Sequence, residues 1–170
     1  MANKSQPNEA LANQITHLIE AARQWTAQQV NSGMTLAYFL VGHYIVEHEQ
    51  KGAARATYGQ EILKQLSQDL TITLGKGFSA RNLASMRNFY LAYRQHHSVR
   101  QILEALEKSQ KLQTPSAISD PEQLKSLFQN ESAPFTLSWS HYVLLSQILN
   151  KDERSFYEIE AIQNQCQVTN

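Results

Sequence analysis

The chain has 170 residues, 42% of them hydrophobic, which suits one domain with a real core and excludes a globally disordered chain. Fifteen basic residues balance fifteen acidic ones, so any attraction to a polyanion has to come from a local patch. Only six Gly and four Pro stand among many Leu, Ala, Gln and Glu, which predicts an all-α fold, and the single Cys166 excludes an internal disulfide or a cysteine-based zinc site.

In chain order, Leu11, Ile15, Leu18, Ala22 and Trp25 recur at spacings of four and three, predicting an amphipathic helix over residues 8–29. Asn31-Ser32-Gly33 is expected to stop it. A second helix is predicted over 35–49, apolar around most of its girth (Leu36, Phe39, Leu40, Tyr44, Ile45), as befits a core or a subunit interface. Gly52 ends it. A third covers 58–74 with Ile62, Leu63, Leu66 and Leu70 inward, and Gly75-Lys76-Gly77 makes a tight turn. Ser79 caps a fourth helix to about Arg94, with Leu83, Met86, Tyr90 and Tyr93 on its buried side. Its opposite side carries Arg81, Ala84, Ser85 and Asn88, and Asn82, Arg87 and Arg94 lie at the flanks.

A fifth helix is predicted over 98–111. Residues 113–134 hold Pro115, Pro121 and Pro134 among Ser, Asn and Asp, and read as a surface excursion with one short helix over 122–129. Residues 135–137 form a short strand or an extended lead-in. Ser138 caps a helix through Leu149, and Asp152 caps a last one through about Gln163. The most apolar run, 36–46, is 11 residues long and contains Gly42 and His43, too short to span a membrane. The polar N-terminus lacks the layout of a secretory signal, and a reducing cytoplasm is the expected setting.

Charge is unevenly distributed. From Leu70 to Leu103 the chain runs 34 residues without an acidic side chain, yet carries Lys76, Arg81, Arg87, Arg94 and Arg100, while the other 136 residues hold 10 basic and 15 acidic groups. This acid-free window coincides with the predicted helix, glycine turn and helix, an arrangement able to present a helix face to a nucleic-acid groove. His96 and His97 are expected to enlarge the basic patch as pH falls.

The segments Tyr58-Gly59, Leu66-Ser67-Gln68-Asp69-Leu70 and Gly75-Lys76-Gly77-Phe78-Ser79-Ala80-Arg81-Asn82-Leu83-Ala84-Ser85-Met86-Arg87-Asn88-Phe89-Tyr90 resemble the N-terminal domain of the YhcG family of bacterial and phage proteins. Leu137-Ser138-Trp139-Ser140-His141-Tyr142, Arg154-Ser155-Phe156-Tyr157-Glu158 and Ala161-Ile162 are similar to that family in the same order, so the resemblance spans about residues 15–168. It implies a helical domain of winged helix-turn-helix character that binds DNA and, in longer members, precedes a nuclease domain of the PD-(D/E)xK type. The chain departs from the family in the excursion at 114–134. It also ends near where longer members continue, so the catalytic half is expected to be absent.

On this reading Arg81, Asn82, Ser85 and Asn88, behind the cap Ser79, supply the forked donors and amides that read base edges. Lys76, Arg94 and Arg100 supply phosphate contacts, which set affinity and salt dependence. The plain alternative is a solvated helix face, and Arg87 could equally serve a structural ion pair. The aromatics at helical spacing read as core, with Trp139 plugging the last helices onto it. His43 and His48, His96 and His97, and the isolated His17 and His141 do not form a metal site, so no cofactor is expected. Magnesium-dependent nuclease chemistry needs clustered carboxylates and a lysine. The lone Glu49-Gln50-Lys51 does not supply them, and Asp152, Glu153, Glu158 and Glu160 read as solvated charges. The expected function is therefore non-catalytic binding of double-stranded DNA. The rival is an interaction module that forms a homodimer, or docks a nuclease domain or subunit, through the first two helices. Five neutralised phosphates would give a slope of log affinity against log salt of about −4 to −5.

Overall fold

A computed structural model describes residues 6–51, 56–112 and 134–164. Six helices occupy them: α1 (Gln6–Lys51), α2 (Ala56–Leu74), α3 (Ala80–Tyr93), α4 (His97–Leu112), α5 (Trp139–Leu145) and α6 (Lys151–Gln163). No strand occurs among the described residues, so the fold is all-α as expected. The predicted excursion and its short helix lie outside the described residues except for Pro134.

The first two predicted helices are one. α1 runs unbroken for 46 residues through Asn31-Ser32-Gly33. Asn, Ser and Gly are poor helix formers, but together they cost only about 2 kcal/mol. A left-handed residue or a nearby proline often ends a helix, but neither occurs in this stretch, since positive φ occurs only at Gly75 and Gly77 among the described glycines. From Ser32 onward α1 is also fixed by tertiary packing, because Ser32, Thr35, Leu36, Phe39 and Leu40 are buried.

α3 is the hub. Its Phe89, Tyr90 and Tyr93 meet Leu36, Phe39, Leu40 and Val46 of α1, Val99, Ile102 and Leu106 of α4, and Phe135, Leu137, Tyr142 and Leu145 in and before α5. Phe89 lies at the centre of the aromatic packing, with ring centroids 5.6 Å from Phe39, 4.8 Å from Phe135, 5.5 Å from Trp139 and 5.0 Å from Tyr142. Trp139 thus plugs the last helices onto the core, also lying 4.9 Å from Tyr38. α1 and α3 cross closely at Gly42, where a Cβ would overlap the Met86 carbonyl and come within 2.9 Å of the Tyr90 Cβ. Only glycine permits that approach.

α2 packs at the periphery of this core. Its Leu63, Leu66 and Leu70, with Phe78, pack against a smaller cluster of Ile45, Leu83 and Met86. The helix ends at Gly75 (φ 84°), whose N–H donates to the Thr71 carbonyl at 3.0 Å, and Gly77 (φ 117°) completes the turn. Ser79 then caps α3, its hydroxyl accepting from the Asn82 N–H at 3.2 Å.

Residues 135–137 are an extended lead-in, with Phe135 and Leu137 buried. α5 stops at Leu145, earlier than predicted, where the chain passes into tighter turns (Gln147 N–H to the Leu144 carbonyl, Ile148 N–H to the Leu145 carbonyl), and the last helix is capped by Asn150 rather than Asp152. The Asn150 carboxamide oxygen accepts from the N–H groups of Asp152 (2.9 Å) and Glu153 (3.2 Å), and a cap residue must itself leave the helical conformation. Ser138 occupies the cap position of α5 without a capping bond, its hydroxyl meeting His141 Nδ1 at 2.8 Å instead.

Candidate nucleic-acid interface

The outward side of α3 is a single ridge. At 100° per residue Arg81, Ala84, Ser85, Asn88 and Leu91 follow one another along it. Arg81, Asn88 and Leu91 are exposed, and Ala84 and Ser85 are half-buried. Arg81 makes no ion pair with a described residue, nor do Lys76 in the exposed turn or Arg94 just past the helix end. No acidic group stands on α3 or in the turn before it.

The structure gives several window residues other work. Asn82 has both ends of its carboxamide occupied: Nδ2 donates to the Gly77 carbonyl, and Oδ1 accepts from the Trp139 indole N–H at 3.1 Å. A side chain so engaged clamps the turn to α5 and is not free to read adenine. Ser79 has its hydroxyl on the cap, and the Ser85 hydroxyl donates back to the Arg81 carbonyl at 3.1 Å. The Arg87 Nε meets both Glu49 carboxylate oxygens, at 2.7 and 3.0 Å, tying α3 to the end of α1. That leaves Glu49 paired and Arg87 structural. Arg100 pairs with Glu104 one turn on at 3.0 Å, both groups being exposed, so the acid just beyond the window offsets the last cation inside it.

Beside the ridge lies a cleft of about 650 Å³ between the end of α3 and the start of α6, lined by Asn88, Leu91, Arg94, Lys151, Arg154 and Glu158 among others. Arg154 helps hold its walls together. Its guanidinium donates to the carbonyls of Ile148 (3.0 Å) and Ala92 (2.9 Å) and lies 5.2 Å over the Tyr93 ring. Glu158, expected to be a solvated charge, instead accepts from the hydroxyls of Tyr93 (3.1 Å) and Tyr142 (3.2 Å). Burial first, and then this carboxylate, push both phenols above their ordinary range, so they remain donors at any physiological pH.

Lys151 is exposed and lines the same cleft as Arg94, and sequence reasoning missed it because it lies far outside the acid-free window. His96 departs from expectation as well. Burial, then the neighbouring His97, Lys151 and Arg154 against the opposing pull of Glu158, hold its pKa below 6.5. It resists joining the basic patch on mild acidification. Among the described residues no group of His, Cys, Asp or Glu is placed to hold a metal ion, and no helix is long and apolar enough to cross a membrane.

Comparison with known proteins bears on this surface. The description "DUF1016 N-terminal domain" matches residues 14–170, which include every residue of the ridge and the cleft. The chain is 42% identical over 149 residues, 87% of its length, to a protein of Escherichia coli (strain K12) named "Putative nuclease YhcG". It spans 39% of that relative's length. No solved structure matches it. The chain belongs to the DUF1016 N-terminal domain family, the same family to which its Gly-Phe-Ser-to-Phe-Tyr segment pointed.

Proposed function

We propose that this domain binds double-stranded DNA without itself catalysing a reaction, and that in longer relatives it brings a nuclease to its target. The observation carrying this reading is the exposed, acid-free ridge of α3, flanked by Lys76 and Arg94, which make no ion pair with a described residue. Arg81 and Asn88 are the side chains with free donors on the ridge and take the base edges. Lys76, Arg94 and Lys151 take phosphates on either side. Asn82, Ser79 and Ser85 act indirectly, by holding the turn and the start of α3 in place. The name of the relative, "Putative nuclease YhcG", and the fact that this chain matches only 39% of its length, support a targeting role.

Fluorescence anisotropy against a selected duplex tests the assignment. Arg81→Ala and Asn88→Ala should each weaken binding to the preferred sequence by about 1–3 kcal/mol and flatten discrimination. Lys76→Ala should weaken all sequences alike. Unchanged anisotropy for all three variants would refute it, and preference for a single-stranded or RNA competitor would redirect it. A second reading, association through protein surfaces, is favoured by one specific observation, the uncovered apolar face of α1.

A further inference from the structure

α1 carries one heptad seam whose two halves meet different fates. From Leu11 the seam steps four and three through Ile15, Leu18, Ala22 and Trp25, then continues in register through Gln29 to Ser32, Leu36, Phe39 and Val46. The later half is buried against the other helices of the chain, beginning at Ser32. The earlier half is bare: residues 9–31 are all exposed, including Leu11 (55%), Leu18 (67%) and Trp25 (65%). With Ile15 and Ile19, these side chains present on the order of 600 Å² of apolar surface per chain. A symmetric pair covering them would bury about 1,200 Å² counting both copies, at the lower end of the range of specific stable interfaces.

We propose that the bare half is occupied by a second copy of this chain, the two α1 segments pairing as an antiparallel coiled coil about a two-fold axis beside residue 20. Three observations select this arrangement. The positions flanking the seam, Ala12, Gln14, Ile19, Ala21, Thr26 and Gln28, are uncharged. Identical copies therefore meet without repulsion, whereas a foreign helix would find no charges to select it. Beyond Ser32 the same face of α1 is covered by its own chain's helices. A parallel partner would run into them, while an antiparallel one ends where they begin. Finally, an antiparallel register centred on residue 20 sets Leu18 opposite Ala22, Ile15 opposite Trp25 and Leu11 opposite Gln29. Each layer then matches a larger side chain with a smaller or more flexible one, and the contact closes on itself as a two-fold interface must. The pairing does not rest on the DNA reading, and an Arg81→Ala chain should dimerise unchanged.

Sedimentation equilibrium of the full chain should give twice its 19.4 kDa mass at micromolar concentration. Leu18→Glu/Trp25→Glu, at exposed positions remote from the core, should return the mass to that of one chain while the far-ultraviolet circular dichroism stays helical and urea unfolding stays cooperative. Disulfide trapping in a Cys166→Ser background fixes the orientation. Ile15→Cys mixed with Trp25→Cys should cross-link readily, and Ile15→Cys alone should not. A one-chain mass for the unmodified protein at every concentration would overturn the proposal, as would a dimer that survives the double substitution. Efficient cross-linking of Ile15→Cys to itself would overturn the antiparallel arrangement.

Discussion

Asn82 and Glu158 show how a polar side chain acquires a role that its own neighbourhood in sequence does not announce. Asn82 stands at a flank position suited to base reading, yet its partners are the turn carbonyl of Gly77 and the indole of Trp139, 57 residues on. Asn82→Ala should therefore lower stability by about 1–3 kcal/mol, read as a fall in the urea midpoint at unchanged slope. Arg81→Ala, one residue away and exposed, should stay within about 0.5 kcal/mol of the unmodified chain. Glu158 accepts from two buried phenols at once. Glu158→Ala leaves both without that acceptor and should cost about 1–3 kcal/mol for each hydroxyl that finds no new partner, whereas Glu158→Gln retains one acceptor oxygen and should cost less. Thermal or urea unfolding of the two variants side by side checks the order.

For the helices, periodicity located most of the apolar faces well, because burial repeats every three or four residues whatever lies opposite. It misjudged where helices stop. Asn31-Ser32-Gly33 has the composition of a break, but Gly33 keeps a helical backbone with open space around it. Gly33→Ala should consequently stabilise the chain by about 0.5–1 kcal/mol. Gly42 lies in the same helix and behaves oppositely, since a methyl group there meets the Met86 backbone. Gly42→Ala should cost about 1–3 kcal/mol or more and push α1 off α3, an effect visible as lost near-ultraviolet dichroism. The two glycines are alike in sequence, and only the helix lying against one of them separates their outcomes.

At the scale of the molecule, pairing of charges revises the electrostatics of the window. Arg87 belongs to Glu49 and Arg100 to Glu104, leaving Lys76, Arg81 and Arg94, with Lys151 added from α6. Three or four neutralised phosphates give a log–log salt slope of about −3 to −4 per chain, shallower than five cations would give, and a titration at several salt concentrations measures it. The pH dependence follows from His96. Its folded pKa is held below 6.5, so above that pH both the folded and the unfolded chain leave it neutral. As pH falls below 6.5 the unfolded chain takes up the proton first, and the His96 contribution to stability declines until the lowered folded value is passed. His96→Gln should remove that part of the decline in denaturant midpoints measured between pH 7.5 and 5.

By itself the sequence determined the all-α class, the glycine turn with its Ser79 cap, the inward stripe of α3 and membership of the family. The first three are local, set by backbone preference or by repeats within one helix, and the family follows from the order of matching segments along the chain. Only the tertiary structure decided that two predicted helices are one, that Asn82 and Arg87 hold the fold, that Lys151 joins Arg94 at the cleft, and that the seam of α1 is covered along one half alone. Those outcomes depend on which atoms from distant segments come within hydrogen-bonding or van der Waals reach, and spacing along one chain does not encode that distance.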